Sequence, residues 1–291
     1  MKIIKNISLL IKIISKLKEK KGDIGFVPTM GSLHNGHISL LKKSISENDY
    51  TICSIYVNPK QFNNKQDFNT YPRKDKQDIA LLNSINCNAL FLPSDQEIYP
   101  KNETIREYEF TENINLLEGE KRPGHFVGVV TIVHKLFSLI KPNRSYFGEK
   151  DYQQLWIIRL FTYKFKLPIQ IISCATIRDN NGLALSSRNI NLSQSEKKDA
   201  IHLFDALTFF KKEINKLKKK SDFCTQLDLI NAKENALINI TKSPLIKLDY
   251  FEVIDEENFS FANEIQNNRN YRVLIAAYVG KIRLIDNMSL Q

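Results

Sequence analysis

His34 and His37 stand three positions apart in PTMGSLHNGH (residues 28–37), directly after the short apolar run Ile24–Val27. With a helix beginning near Leu33, both rings fall on one face of its first turn, beside backbone N–H groups that have no partner inside the helix. That end of a helix carries partial positive charge and suits a phosphate. Gly31 and Gly36 have no side chain, so a nucleotide can come close to the backbone there. A capped helix with two incidental histidines also fits these residues, and a histidine pair of this spacing is a weak metal signal without a third ligand. Neither G-x-G-x-x-G nor G-x-x-x-x-G-K-S/T occurs, so nucleotide binding has to use another route.

Two further clusters carry polar chemistry. GEKDYQQ (148–154) places Lys150 and Gln154 on one face of a helix read over 149–166. A lysine opposes the dipole at a helix start, and a phosphate partner would explain it, although a solvated charged turn fits as well. NGLALSSRN (181–189) offers the hydroxyls of Ser186 and Ser187 and the planar guanidinium of Arg188, a good phosphate clamp or simply a serine-rich turn.

The elements that must position these groups alternate in type. Apolar runs at 24–27, 51–57, 88–93, 144–147 and 168–174 read as strands. Residues 34–47, 75–85, 126–140 and 149–166 read as helices, the third apolar nearly all round. This order argues for a parallel sheet covered on both faces. PTMGSLHNGH, NPKQF (58–62) and GEKDYQQ each follow a strand. In open parallel sheets that edge, where the strand order reverses, is where ligands bind. Beyond about residue 176 two Lys-rich helices (194–219, 222–242) and strands near 248–254, 271–279 and 281–286 read as a smaller α+β domain. The expected division is therefore 1–176 and 177–291.

The 291 residues are 42% hydrophobic and 25% charged, as in ordinary globular proteins. The net charge of +10 is spread along a Lys-rich chain, and an anionic substrate accounts for it better than nucleic acid. Cys53, Cys87, Cys174 and Cys224 lie far apart with no C-x-x-C pair, which favours free thiols in a reducing cytoplasm. Lys5, Lys12 and Lys16 interrupt the N-terminal apolar stretch, so a strand and an amphipathic helix are expected rather than a signal peptide. No apolar segment is long enough to span a membrane.

Taken together, PTMGSLHNGH, VNPKQF, YPR, RPGHFVGVVTIVHKLF, FGEKDYQQ, GLALSSRN and RLIDN resemble the pantothenate synthetase (pantoate–β-alanine ligase) family, in order and spacing, over almost the whole chain. The family belongs to a wider nucleotidyltransferase superfamily that shares the H-x-G-H pattern. The resemblance implies a Rossmann-type doubly wound parallel sheet with a smaller C-terminal α+β domain that closes over the ATP site. It implies ligation of (R)-pantoate and β-alanine with ATP and Mg²⁺, through a pantoyl-adenylate, releasing AMP and pyrophosphate. A cytoplasmic homodimer that binds neither nucleic acid nor membrane is expected. Matching positions assign Met30, Gly31, Ser32, Leu33, His34, Asn35, Gly36 and His37 to ATP. Gly148, Glu149, Lys150, Asp151, Ile177, Leu185, Ser186, Ser187 and Arg188 join them. His37, His34, Lys150 and Arg188 are the expected catalytic groups. Gln61 is the pantoate and β-alanine contact and Gln154 a pantoate contact, with Asn58, Tyr71, Arg122 and His125 as secondary pocket residues. Asp78 is a candidate magnesium ligand or a helix-surface carboxylate. Ser32, Asn35 and Asn181 stand where many members have Ala, Glu and Asp.

The pantoate carboxylate is already ionised near neutral pH, so its attack on the α-phosphate needs charge neutralisation and positioning rather than a base. Protonated histidines would help most, and neighbouring phosphates should favour that form. Two other readings compete: another nucleotidyltransferase with a phosphorylated acceptor, and a basic RNA-binding protein. Amides at Gln61 and Gln154 suit a hydroxyacid better than a second phosphate. KLKKK (216–220) is the one strong basic run and fits a solvated helix.

Overall fold

The computed structural model describes residues 1–101, 108 and 113–291. Backbone contacts divide the chain into Met1–Ala175 and Thr176–Gln291.

The first unit runs β1 (Lys2–Ile4), α1 (Ile7–Glu19), β2 (Ile24–Thr29), α2 (Asn35–Glu47), β3 (Tyr50–Ile55), α3 (Lys65–Thr70), α4 (Asp75–Ser84), β4 (Ala89–Phe91), α5 (Asp95–Ile98), α6 (Glu118–Lys121), α7 (His125–Ile140), β5 (Arg144–Gly148), α8 (Tyr152–Lys164) and β6 (Gln170–Cys174). Its six strands lie in the order β1-β4-β3-β2-β5-β6, every neighbour parallel. From β2 the chain winds outward through β3 to β4, then returns to place β5 on the other side of β2. The order therefore reverses between β2 and β5, and the loops leaving these two strands emerge at the same sheet edge.

Burial on both faces explains why these strands are continuous apolar runs. Along β2, Val27 packs with Leu41 of α2, Leu82 of α4, Cys53 and Tyr146. Phe26, one residue earlier, meets Phe137 of α7 edge-on at 6.2 Å, which puts alternate side chains on opposite faces. Helix α1 is amphipathic, capped by Asn6, and buries Leu10 and Ile14 while its lysines face outward. All four cysteines are free and buried. Among the described residues no helix is long and apolar enough to cross a membrane.

The second unit holds α9 (Gln194–Lys218), β7 (Phe223–Cys224), α10 (Gln226–Lys242), β8 (Ile246–Asp255), β9 (Ile265–Gln266), β10 (Tyr271–Val279) and β11 (Ile282–Ser289). Strands β11-β10-β8 form an antiparallel sheet, and β7 pairs with β9. Leu203, Leu207, Phe210 and Ile214 of α9 pack with Leu229 and Ala236 of α10 and with Phe251, Val253, Val273 and Ile275 of the sheet.

Four helix starts differ from the sequence reading, α7 by taking in His125. Residues 149–151 form a 3₁₀ turn, so α8 begins at Tyr152. Helix α10 begins at Gln226 because Phe223 and Cys224 are drawn into a strand and Thr225 caps the helix. Helix α2 begins at Asn35, with consequences for both histidines.

Candidate active site

The turn between β2 and α2 is built from two consecutive left-handed residues, Gly31 (φ 80°) and Ser32 (φ 50°). The second is strained for a residue with a Cβ. A carboxylate from α4 compensates: the N–H groups of Ser32 and Leu33 each donate to one oxygen of Asp78 at 2.8 Å. Asp78 is 2% exposed, which corrects its reading as a helix-surface carboxylate. Burial raises its pKa, while the two backbone donors oppose that shift. Thr29 Oγ1 accepts from Gly31 N–H and donates to the Ser54 carbonyl, tying the turn to β3.

Beyond this turn the histidines cap the helix. His34 is the N-cap, and its Nδ1 accepts from the N–H of Gly36 at 3.1 Å. His37 reaches back, its Nδ1 accepting from the N–H of His34 at 3.3 Å. The pair forms a reciprocal capping box in imidazole, with ring centroids 4.1 Å apart. A Cβ on Gly36 would lie 2.8 Å from His34 Cε1, so this glycine makes room for the capping ring. An Nδ1 that accepts a hydrogen bond carries no proton, so each neutral ring holds its proton on Nε2. Burial, then the positive charge of Lys150, lowers the pKa of His34 to about 4, with Asp151 acting in the opposite direction. Burial, with His34 and Lys150, lowers that of His37 to about 3, again against Asp151. In the protein by itself the two rings are held neutral, because burial and their own caps disfavour the cation.

The turn after β5 lies close enough to influence both rings. Lys150 and Asp151 sit in the 3₁₀ turn Glu149–Asp151, with Lys150 Nζ 3.3 Å from Asp151 Oδ1. Gln154 lies in the first turn of α8, whereas Lys150 precedes that helix, so the two do not share a helical face.

After β3, Asn58 caps the 3₁₀ turn Pro59–Gln61 and is 1% exposed. Its Nδ2 donates to the Gly128 carbonyl at 3.0 Å, and its Oδ1 accepts from Tyr99 Oη at 2.9 Å. Asn58 Nδ2 also donates to Gln61 Oε1 at 3.2 Å, while Gln61 Nε2 approaches Met30 Sδ at 2.9 Å. Gln61 thereby joins the β2 and β3 loops. His125, at the start of α7, donates from Nδ1 to the Gln61 carbonyl at 2.7 Å, which makes its neutral ring the opposite tautomer, with Nε2 as acceptor. Burial, then Arg122, lowers its pKa to about 4. Tyr71 caps the end of α3 and packs edge-on against Phe62 at 5.7 Å. Arg122 closes α6, its N–H donating to the Glu118 carbonyl at 2.9 Å.

Ile177 and Leu185–Arg188 belong to the second unit. Leu185 N–H donates to the Ile177 carbonyl at 2.9 Å, so these two candidates are paired across a small hairpin. Ser186 Oγ then accepts from Arg188 N–H at 3.3 Å, starting the 3₁₀ turn Ser187–Asn191. Asn181 occupies the exposed tip, its N–H donating to Asp179 Oδ1 at 2.9 Å.

Among the described residues no three His, Cys, Asp or Glu side chains gather as a metal site. Both oxygens of Asp78 already serve the turn. The described residues therefore form no all-protein magnesium cage.

What the arrangement offers is a set of N–H donors and cations at the edge between β2 and β5, flanked by buried amides. It suits an anionic nucleotide beside a polar, uncharged recognition surface. A family model described as pantoate-beta-alanine ligase matches residues 2–289. A pantothenate synthetase of Fervidobacterium nodosum is 40% identical over 288 residues, covering 99% of each chain. The crystal structure of pantothenate synthetase from Thermus thermophilus superposes with a TM-score of 0.88 at 34% identity, covering 100% of this chain and 99% of that one. That of pantoate-beta-alanine ligase from Francisella tularensis, complexed with beta-gamma ATP and beta-alanine, gives a TM-score of 0.76 at 40% identity, covering 100% and 98%.

Proposed function

The chain belongs to the pantoate-beta-alanine ligase family, and from that membership we propose how its residues join (R)-pantoate to β-alanine at the expense of ATP. A pantoate carboxylate oxygen attacks the α-phosphorus of ATP, the bond to pyrophosphate breaks, and pantoyl-adenylate forms. The β-alanine amine then attacks the acyl carbon, the C–N bond forms, AMP leaves and a proton passes to solvent. The observation that carries this reading is the pair of loops from β2 and β5, with two neutral Nε2–H imidazoles under the influence of Lys150. His37 and His34 donate to phosphate oxygens, and Lys150 neutralises charge developing on the leaving group. A neutral imidazole N–H is a competent donor to a developing oxyanion and keeps its Nε2 proton through the step.

Met30–His37 and Gly148–Asp151 face ATP in this reading. Ile177, Leu185, Ser186, Ser187 and Arg188 are assigned to ATP in the same reading. Gln61 and Gln154 hold pantoate, and Gln61 also meets β-alanine. The tight bonding of Gln61 to Asn58 and Met30 supports such a role, because a fixed amide orients its ligand without ordering itself. Magnesium belongs to the reading as a companion of the ATP phosphates, held chiefly by phosphate and water. A cytoplasmic homodimer completes it, to be checked by a light-scattering mass twice that of the chain.

Pantoate-dependent exchange of labelled pyrophosphate into ATP, in the absence of β-alanine, tests the adenylate. Exchange is expected; ligation without any exchange would replace the adenylate with a different activated pantoate.

A further inference from the structure

Arg178 lies in the hairpin that carries Ile177 and Leu185, and its side chain reaches beyond the hairpin to α9 and β11. The hairpin closes through a bridge between Arg178 and Ala184, with Asp179 N–H donating to the Leu183 carbonyl at 2.9 Å and Asp179 Oδ1 accepting from Leu183 N–H at 3.0 Å. Gly182 at its tip has φ 94°, and a Cβ there would run into the ring of Phe204 on α9. The guanidinium of Arg178 stacks over the same ring at 4.3 Å. From there it engages both oxygens of Asp286 on β11: Nη1 bonds Oδ2, and Nη2 donates to Oδ1 at 2.9 Å. Nη1 also donates to the Gly182 carbonyl at 3.0 Å, closing the hairpin onto the same side chain. Asp286 is 5% exposed. The fourth residue of the RLIDN stretch is thus a carboxylate that holds a distant loop.

We propose that Arg178 and Asp286 are positioning residues for ATP: their bidentate pair, stacked on Phe204, sets the hairpin so that Ile177 and Leu185–Arg188 present to the nucleotide. This rests on the assignment of those residues to ATP. Neither partner touches the substrate. A planar fork on a carboxylate fixes both distance and plane, which a lysine cannot reproduce. Other anchors of the hairpin are local or apolar: Asp179 Oδ1 accepts from Asn181 and Leu183 N–H, Asn189 Nδ2 donates to the Ala184 carbonyl at 3.0 Å, and Leu183 packs in the core.

A comparable ion pair in the same sheet provides the control. Arg283, three residues before Asp286, donates from Nε and Nη2 to Asp249 Oδ2 at 3.0 and 2.8 Å and is similarly buried. Arg178→Lys, Asp286→Asn, Arg283→Lys and Arg188→Ala are compared in the full-length enzyme by steady-state kinetics with each substrate varied, and by thermal unfolding. Arg178→Lys and Asp286→Asn are expected to raise KM for ATP about tenfold. KM for pantoate and β-alanine should stay within about twofold. Arg283→Lys should lower the unfolding temperature without moving KM for ATP. The reversed pair, Arg178→Asp with Asp286→Arg, should recover part of what Arg178→Asp loses. If Arg188→Ala raises KM for ATP but Arg178→Lys does not, the clamp is refuted and the ATP assignment stands. If neither moves it, the hairpin is not an ATP element and the inference falls with that assignment. Equal effects of Arg178→Lys and Arg283→Lys on every parameter would reduce the pair to ordinary sheet stability.

Discussion

In the first unit the β2–α2 turn is held by backbone N–H groups donating to two neutral imidazoles and one buried carboxylate. In the second unit the hairpin 177–185 is held by a guanidinium locked to a carboxylate, on a sheet that carries further pairs at Arg272–Glu256, Arg269–Asp255 and Arg283–Asp249. The two regions answer different demands. In the proposed reading, a donor that meets a developing charge gains from being desolvated and oriented beforehand, with its proton fixed by local geometry. A loop that must be held in place gains from an ion pair, because losing one partner strands the other charge in a poorly solvated place. The first region is therefore tuned through tautomers and the second through charge.

The sharpest way to break this contrast separates the two nitrogens of His37. Asparagine reproduces the Nδ1 acceptor but lacks the Nε2 donor. His37→Asn should thus keep the cap and the unfolding temperature while lowering turnover by about 10²–10³-fold. Steady-state kinetics and calorimetry on one sample check both halves; near-normal turnover would remove His37 from the chemistry.

Next in size is Asp78. Alanine there leaves two N–H groups without their charged acceptor and frees a left-handed serine. Stability should drop by about 3 kcal/mol and KM for ATP should rise. Asp78→Asn should also destabilise, since its amide faces one of the two donors with another donor. Magnesium titrations should give unchanged midpoints in both variants. A shifted midpoint with stability preserved would make Asp78 a metal ligand and not a brace.

A third test concerns pH. His34, His37 and His125 have pKa values lowered by burial to about 4, 3 and 4. Unfolded histidines protonate near 6.5, so between that pH and about 4 the unfolded chain binds more protons than the folded one. The stability contributed by neutral burial is complete above 6.5 and is lost as the pH falls toward 4. Denaturant unfolding at pH 7.5, 5.5 and 4.5 reads this loss, which should shrink in His37→Asn, where His34 and His125 remain. A stability that is flat from 7.5 to 4.5 would mean that these rings take up protons as readily in the folded protein as in the unfolded chain.

Much of this was legible in the residues. Parallel strands buried on both faces announce themselves as unbroken apolar runs, and the polar clusters after β2, β3 and β5 pointed to one sheet edge. The capping roles of the histidines were not legible, because they depend on where α2 starts, and one residue of difference turns a helical ring into a cap. The service of Asp78 to Ser32 spans 46 positions and leaves no periodic trace. The link from Arg178 to Asp286 spans 108. Short helices such as α3, α5 and α6 have too few turns to show a hydrophobic period.

The buried thiols give the molecule a built-in clock. Burial pushes all four cysteines above their ordinary pKa, Cys174 to about 11, so thiolate is scarce in the closed protein. Cys53, Cys87 and Cys174 lie in the first unit and Cys224 in the second. Their rates of reaction with a chromogenic disulfide therefore time the opening of each half separately, in the unmodified enzyme and without any introduced label.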